Sequence, residues 1–179
     1  MEELRSNNRL ILPFKGLKEG IHEFYFKINN NFFSSLDYSE LENGELEIKV
    51  KLNKKPKNII LEIDILGFVK VMCDRCLDFF NLPIKFQGNL LVNFNGSDEK
   101  KSLKNYEDLI VLSENEYEFD ITHYIYESIL LSIPYQRIHP LNSTGISTCN
   151  KDMLLILKKF SEPAGKKIIN ESWEKLNNI

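Results

Sequence analysis

The stretch ELEIKVKLNKKPKNIILEIDILGFVKVM, residues 45–72, decides the fold that we predict for this chain. Within residues 45–52, apolar and charged side chains alternate strictly, and this period of two is typical of a β-strand with one buried face. The polar segment 53–58 is centred on Pro56 and predicts a turn. Residues 58–72 are nearly all β-favouring, so the stretch predicts two adjacent antiparallel strands.

Further strands are predicted on both sides of this hairpin. Residues 21–28 are rich in aromatic side chains, and residues 82–94 show another β pattern. Gly67 is expected to mark a bulge or a bend within the long second strand. We therefore predict that residues 1–94 are mainly β and form an antiparallel meander that curls into a partly closed barrel.

The second half of the chain is predicted to consist of two short strands followed by helices. Residues 95–108 are polar and rich in helix- and strand-breaking residues, which predicts a mobile loop. In residues 109–179, Asp120 is a good N-cap for a helix that Pro134 ends. Asn150 is expected to cap a second helix.

Length and composition define the class of protein. With 179 residues and a hydrophobic fraction of 42%, the chain suits one globular domain. We predict a single α+β domain over residues 1–179, with the helices of the second half packed on the sheet. The longest apolar runs, such as residues 129–133, are too short to span a bilayer.

The cellular compartment is predicted from the N-terminus and the cysteines. The N-terminal segment lacks the basic start and apolar core of a signal peptide. Three cysteines are an odd number, whereas small secreted scaffolds normally carry an even set. We therefore expect a cytoplasmic protein, in which paired cysteines usually bind metal or do redox chemistry.

Two clusters of lysines stand out against the formal net charge of −3. The first contains Lys49, Lys51, Lys54, Lys55 and Lys57, and the second contains Lys158, Lys159, Lys166 and Lys167. Local patches of this kind are what phosphate contacts need. The alternative is that these lysines only keep strand edges and a helix face soluble.

Cys73 and Cys76 flank two residues at the end of the long apolar run, and three interpretations of the pair are open. Thiol redox chemistry favours a first cysteine at a helix N-terminus, whereas this pair follows a strand. Packing as small hydrophobic residues is the second interpretation. The third is a zinc knuckle, in which a turn between two strands directs both sulfurs to one point.

A zinc site needs two further ligands, and the chain offers them in one loop. Cys149 is the remaining cysteine, and His139 lies ten residues before it. Together with Cys73 and Cys76 they would form a closed Cys₃His set, which is structural chemistry without an open position for catalysis.

Catalytic motifs are absent from the sequence. We find no Gly-rich phosphate loop, no nucleophile elbow and no His-Glu-x-x-His. His22 and His123 are expected to be surface or packing residues rather than catalysts. We therefore predict that the protein is not an enzyme.

Three segments give the chain a resemblance to the YceD family, the large-subunit ribosomal RNA accumulation proteins. They are VMCDRCLDFFNLPIKFQGNLLVNF at 71–94, FDITHYIYESILLSIPYQRIHP at 119–140 and ESWEKLNNI at 171–179. They look like the strand–knuckle–strand unit, the helix with its proline exit and following His, and the closing Trp segment of that family. The resemblance covers residues 69–179.

The resemblance implies a non-enzymatic cytoplasmic factor for ribosome biogenesis. Such a protein would be needed for large-subunit rRNA accumulation or processing, and it would bind rRNA or a pre-ribosomal particle, with ribosomal or assembly proteins as further partners. The alternative is a protein-only scaffold or adaptor that has a structural zinc site and makes no direct RNA contact.

If RNA is contacted, basic side chains on rigid turns are the expected phosphate ligands. The residues that we expect in this role are Arg75, Lys54, Lys55 and Lys57. A guanidinium on a rigid turn loses little rotamer freedom when it binds a phosphate. Alternatively, Arg75 pairs with Asp74 or Asp78 and only stabilises the turn.

Overall fold

A computed structural model describes residues 2–3, 9–94, 108–113 and 115–161 of the chain. Its elements, in chain order, are β1 (Glu2–Glu3), β2 (Ile11–Pro13), β3 (Gly20–Ile28), α1 (Asn30–Ser34), β4 (Gly44–Lys54), β5 (Asn58–Met72), β6 (Phe79–Phe94), β7 (Asp108–Leu112), β8 (Glu118–Asp120), α2 (Thr122–Leu131) and α3 (Lys151–Ser161). The α+β class is confirmed, with the two longer helices α2 and α3 after the strands, while the five-residue helix α1 lies between β3 and β4.

The main sheet has the strand order β1-β3-β4-β5-β6-β7. Its four central strands form the predicted antiparallel meander, while β1 and β7 are added in parallel at the two edges. Among the described residues β1 does not pair with β7, so the sheet remains open rather than closing into a barrel. A second, two-stranded antiparallel sheet pairs β2 with β8.

The hairpin of β4 and β5 has the register that the alternating pattern predicts. Lys54 lies opposite Ile59, and the Lys55 N–H donates to the Asn58 carbonyl at 2.9 Å, which closes the turn. Leu46, Ile48 and Val50 are all buried, while the charged side chains between them are exposed or half-buried. Because side chains alternate between the two faces of a strand, one face of this hairpin enters the core and the other faces solvent.

Gly67 does not mark a bulge, because the pairing of β5 with both neighbouring strands is continuous through it. It lies opposite Leu46, and a Cβ at this position would clash with the Glu45 carbonyl oxygen and lie 2.7 Å from the Leu46 Cα. Its φ of +154° is also one that side-chain-bearing residues rarely adopt. Glycine is therefore required here by the close approach of two backbones.

Of the helices predicted to pack on the sheet, α2 does so, whereas α3 has no buried residue. Ile125 and Ile129 are fully buried in the same core cluster as the inward side chains of the strands. The helix begins at Thr122, and the Asp120 carboxylate accepts a hydrogen bond from the Thr122 N–H at 2.9 Å. Asp120 thus satisfies one of the free N–H groups of the first turn, although Ile121 occupies the cap position.

The chain divides into two compact units. The first comprises residues 1–72 and 79–137, and the second comprises residues 73–78 and 138–179. The prediction of a single domain over the whole chain stays a prediction. Of the predicted loop 95–108, all but Asp108, which begins β7, lies outside the described residues, as does the closing segment 171–179. In the part of the chain that the structure describes, no helix has the length and apolar character needed to cross a membrane.

Candidate metal centre

Cys73 and Cys76 lie on a tight turn, residues 73–78, whose backbone hydrogen bonds hold it closed. The Cys73 N–H donates to the Asp78 carbonyl at 2.9 Å, and the Leu77 N–H donates to the Cys73 carbonyl at 2.9 Å. Leu77 adopts a left-handed φ of 64°, which reverses the chain. Both cysteines are buried and Arg75 between them is exposed, so the turn places the two sulfurs in the interior and the guanidinium at the surface.

His139 and Cys149 are brought together by a compact loop organised by Asn142. The Asn142 carboxamide oxygen accepts from the Thr144 N–H at 3.0 Å, the Thr144 hydroxyl at 2.7 Å and the Ile146 N–H at 2.8 Å. In addition, the Asn142 N–H donates to the Ile146 carbonyl at 2.9 Å. This loop closes the ten-residue gap in the sequence, so that residues distant in the chain can share one site.

The four predicted ligands converge. One donor atom from each of Cys73, Cys76, His139 and Cys149 lies within 4.8 Å of all the others. The Sγ atoms of Cys73 and Cys149 are 3.9 Å apart, and the His139 Nδ1 is 3.4 Å from the Cys76 Sγ and 3.8 Å from the Cys149 Sγ.

These separations suit tetrahedral zinc. Bond lengths of about 2.3 Å to sulfur and 2.0 to 2.1 Å to nitrogen place ligand sulfurs about 3.8 Å apart and sulfur about 3.6 Å from nitrogen. The measured distances lie close to both values, and the widest pair, at no more than 4.8 Å, would have to close by about 1 Å. The cluster could therefore hold a metal ion with small side-chain movements.

The environment of the cluster favours thiolate at Cys73. Burial raises the pKa of this thiol, but the backbone N–H groups of Arg75 and Cys76, together with His139, outweigh burial and lower the pKa to about 6. At Cys76, burial dominates and raises the pKa above its ordinary value. Because thiolate is the form that ligates metal, Cys73 is better prepared to do so than Cys76.

The comparison with known families gives a match. The model of the YceD family, described as "Large ribosomal RNA subunit accumulation protein YceD", matches residues 61–179, which is more than half of the chain. The chain belongs to the YceD family. No curated protein and no solved structure matches the chain. The family description implies a role in the accumulation of large-subunit ribosomal RNA, and it describes an accumulation factor rather than an enzyme.

In this YceD-family chain, a hydrogen bond between two non-ligand side chains also joins the two segments of the cluster. The Asn150 Nδ2 donates to the Asp78 carboxylate at 3.1 Å, and the Asn150 Oδ1 accepts from the Asp152 N–H at 3.0 Å at the start of α3. Asn150 is thus the predicted cap, and it also holds Cys149 beside the turn of Cys73 and Cys76. The sequence did not predict this hydrogen bond between Asn150 and Asp78 or the role of Asn142, although the Asn-Ser-Thr-Gly run at residues 142–145 is typical of a turn.

The basic residues predicted to contact phosphate have different surroundings. Arg75 is exposed, and it forms no ion pair within the described part of the chain. Lys55 and Lys57 are exposed in the turn between β4 and β5. The Lys54 ammonium donates to the carbonyls of residues 14, 15 and 17 at 2.9, 3.3 and 2.7 Å. Because an ammonium has three N–H donors, this geometry leaves Lys54 without a free one.

The turn that carries Lys55 and Lys57 lies at one end of β5, and Met72 lies at the other end. This strand has 15 residues, so its ends are roughly 45 Å apart at 3.3 Å per residue. Lys55 and Lys57 therefore lie far from the Met72 end of β5. His22 and His123 lie outside the cluster: His22 Nε2 is 2.9 Å from the Lys18 carbonyl, and His123 contacts Glu127 at 3.0 Å.

Proposed function

We propose that this chain is a non-enzymatic cytoplasmic factor for large-subunit rRNA accumulation or processing and for ribosome assembly, and that it carries a structural zinc ion. The observation that carries the proposal is the convergence of Cys73, Cys76, His139 and Cys149 in a chain of the YceD family. A ligand set of three thiolates and one imidazole is typical of structural zinc. It fills all four positions of a tetrahedron, so no position is left for a reacting water or substrate.

The role that we assign to zinc is folding energy. The second unit contains the short turn 73–78 and the segment from residue 138 onwards, and none of the residues of α3 is buried. Among the described residues of this unit, only Cys73, Cys76 and Cys149 are buried, and a cross-link between its segments stabilises a unit with so small a described core. Zinc held by two residues from each segment would supply that cross-link.

RNA contact is proposed at two separate places. Arg75 projects from the rigid turn of the cysteines, and a guanidinium there can bind one phosphate through two parallel hydrogen bonds. Lys55 and Lys57 project from the β4–β5 turn and would add point charges to a second contact. Lys54 is left out of the interface, because its ammonium is used inside the fold.

The second candidate is a protein-only scaffold with the same zinc site. The net charge of −3 and the internal use of Lys54 favour it, since both weaken the attraction for RNA phosphates. RNA crosslinking at two salt concentrations separates the two candidates. Direct phosphate contacts predict crosslinks that weaken steeply with salt, whereas a scaffold predicts no crosslink to this chain at either concentration.

The function itself is tested by deleting the gene, or by depleting the product where the deletion strain does not grow. Sucrose gradients should then show fewer mature large subunits relative to small ones. Unchanged subunit ratios would contradict the proposed function.

The RNA contacts are tested with charge-reversal variants. Arg75→Glu is compared with Lys18→Glu, and the double variant Lys55→Glu, Lys57→Glu is compared with the double variant Lys18→Glu, Lys27→Glu. Each control makes the same change in charge at another place.

A further inference from the structure

At one end of the sheet, apolar residues appear among the polar solvent-facing side chains of β5 and β6. We call this patch the aromatic strip, and it consists of Leu66, Phe68, Met72, Phe79 and Pro83. Met72 lies directly opposite Phe79, and Phe68 lies opposite Pro83. Phe79 is 64% exposed, Leu66 53% and Met72 41%. Contiguous exposed apolar side chains on a sheet face indicate a binding surface, because burying them in a partner is favourable.

The rest of the same face shows what an inert solvated surface looks like in this protein. Lys49 pairs with Glu23 at 2.9 Å, Lys51 pairs with Glu62 at 3.0 Å, and the Gln87 amide donates to the Asp64 carboxylate at 2.8 Å. Cross-strand polar pairs of this kind need no partner. The residues of the aromatic strip are apolar and cannot form such polar pairs, so the strip differs from the solvated part of the same face.

Cationic side chains alternate with the apolar ones in the strip. Lys70 lies between Phe68 and Met72 on the outer face of β5, and its Nζ is 5.6 Å from the centre of the Phe79 ring. Lys85 lies opposite Leu66 on β6. Within the described part of the chain, neither ammonium forms a salt bridge. Both are therefore positioned to meet anionic groups of a ligand whose apolar surface lies on the rings.

A cavity of about 340 Å³ opens beside the strip. Its lining includes Met72 and Phe79 from the strip, together with Lys70, Glu40, Glu42 and Arg137. This volume is near the lower end of the roughly 300 to 1,000 Å³ found for ligand pockets. The cavity therefore suits one small planar group with hydrogen-bond donors rather than a large ligand.

The wall of the cavity that carries the two glutamates is held in place by hydrogen bonds. The Glu40 N–H donates to the Tyr126 hydroxyl at 2.8 Å, and the Lys70 N–H donates to the Asn43 carbonyl at 2.8 Å. The side chain of Asn30 also accepts from the Gly44 N–H at 3.1 Å. The cavity thus exists before a ligand arrives, which lowers the entropy cost of binding.

We propose that the aromatic strip binds single-stranded RNA. A base stacks on Phe79, Lys70 and Lys85 contact the flanking phosphates, and an unstacked neighbouring base enters the cavity. There Glu40 and Glu42 accept hydrogen bonds from its amino or ring N–H groups. Rings alternating with cations on an open sheet are how proteins hold single strands, because every base has a face that can stack. The proposal rests on the RNA contact in the proposed function and adds a site to it.

The test measures binding of labelled single-stranded oligoribonucleotides of mixed sequence to the full chain. Phe79→Ala and Phe79→Leu should each raise Kd by about 5- to 150-fold, the range for removing one base–aromatic stack. Phe79→Trp should keep the affinity, and the added indole fluorescence should be quenched by RNA. Ile21→Ala is the matched control, because Ile21 is an exposed apolar residue of the same sheet, and it should bind as the wild type does.

The comparison of Phe79→Leu with Phe79→Trp separates stacking from simple apolar contact, since leucine keeps apolar area but has no ring. Lys70→Gln should also raise Kd and reduce the slope of log K against log salt by about 1, as expected for one lost phosphate contact. Equal RNA affinity of wild type, Phe79→Ala and Ile21→Ala would overturn the proposal.

Two further outcomes keep this proposal distinct from the proposed function. If Phe79→Ala fails to restore subunit ratios in a deletion strain but binds RNA normally, the strip contacts a protein, and the RNA proposal is wrong while the function stands. If wild-type protein restores the ratios but binds no oligoribonucleotide at low salt, the RNA proposal is again overturned alone. Only unchanged subunit ratios on deletion contradict the function.

Discussion

Replacing one ligand in each segment of the candidate metal centre tests whether one ion joins them. The variants are Cys73→Ser in the 73–78 turn and His139→Ala in the loop that precedes α3. Their ligand atoms belong to a group lying within 4.8 Å, so a single zinc should depend on both. The matched control is His123→Ala, which removes another histidine with two polar contacts, to Tyr38 and to Glu127.

The expected magnitude follows from the number of ligands. Structural zinc in small units contributes about 10 to 16 kcal/mol of apparent binding free energy. Divided over four ligands this is about 2.5 to 4 kcal/mol for each, which corresponds to roughly a 70- to 900-fold increase in the zinc Kd when one is removed. At a zinc concentration about 1,000 times the wild-type Kd, zinc stabilises the fold by about 4 kcal/mol, and a 100-fold weaker variant retains about 1.4 kcal/mol.

Three measurements check this prediction. Elemental analysis of protein purified without a metal column should give about one zinc per wild-type and His123→Ala chain. Competition with a chromophoric chelator gives the Kd of each variant, and thermal unfolding with and without the chelator gives the stability that depends on zinc. The reasoning is refuted if Cys73→Ser or His139→Ala binds zinc as tightly as His123→Ala does, or if the wild type takes up no zinc on reconstitution.

Three further predictions concern the fold and its pH dependence. Gly67→Ala should destabilise the protein by about 3 kcal/mol, the upper end for overpacking, because the added Cβ meets backbone. The control is Gly16→Ala, whose added Cβ meets no atom within 4 Å. Equal midpoints of the two variants in urea unfolding would contradict the close approach at Gly67. Lys54→Met should cost about 1 to 3 kcal/mol because it removes the shared donor of the carbonyls of residues 14, 15 and 17, of which the first keeps a hydrogen bond from the Leu17 N–H. Lys55→Met should cost little, and equal losses would contradict the role of Lys54. In the folded metal-free protein the pKa of the Cys73 thiol is lowered from 9.0 to about 6, so folding favours the thiolate. The stability that the thiolate contributes is therefore present above pH 9 and is lost as the pH falls through about 6. Urea unfolding of the metal-free protein on both sides of pH 6 should show this loss in the wild type and not in Cys73→Ala, and parallel pH curves would argue against it.

The β-strands and the first helix of the C-terminal half could be predicted because their signals are local. The alternation of residues 45–52 requires one buried and one exposed face whatever the rest of the chain does, and Leu46 and Ile48 are indeed buried. The apolar face of α2 was predicted for the same reason, and Ile125 and Ile129 are in the core. Gly67 was recognised as special, but its reason is a contact with β4 that no local pattern contains.

The candidate metal centre could be predicted from the sequence only in part. Residue chemistry offered these four residues as candidate ligands beside two other interpretations of the cysteine pair, because thiolates and imidazole are what zinc prefers and the chain has only three cysteines. Their convergence depends on the hydrogen bonds of Asn142 and Asn150, which shorten a long gap in the sequence to ligand distances. Spacing in sequence does not measure distance in space once a loop folds on itself.

The surface chemistry was decided by tertiary structure. In the sequence, Lys54 and Lys55 are neighbours of equal charge, but the fold uses one ammonium to satisfy backbone carbonyls and leaves the other in solvent. Phe79 lies before the predicted strand 82–94, and only its pairing with Met72 at the start of β6 makes it part of an exposed strip on the outer face. Strand periodicity determines which side chains share a face, whereas the packing of distant segments determines which faces and charges remain available to a partner.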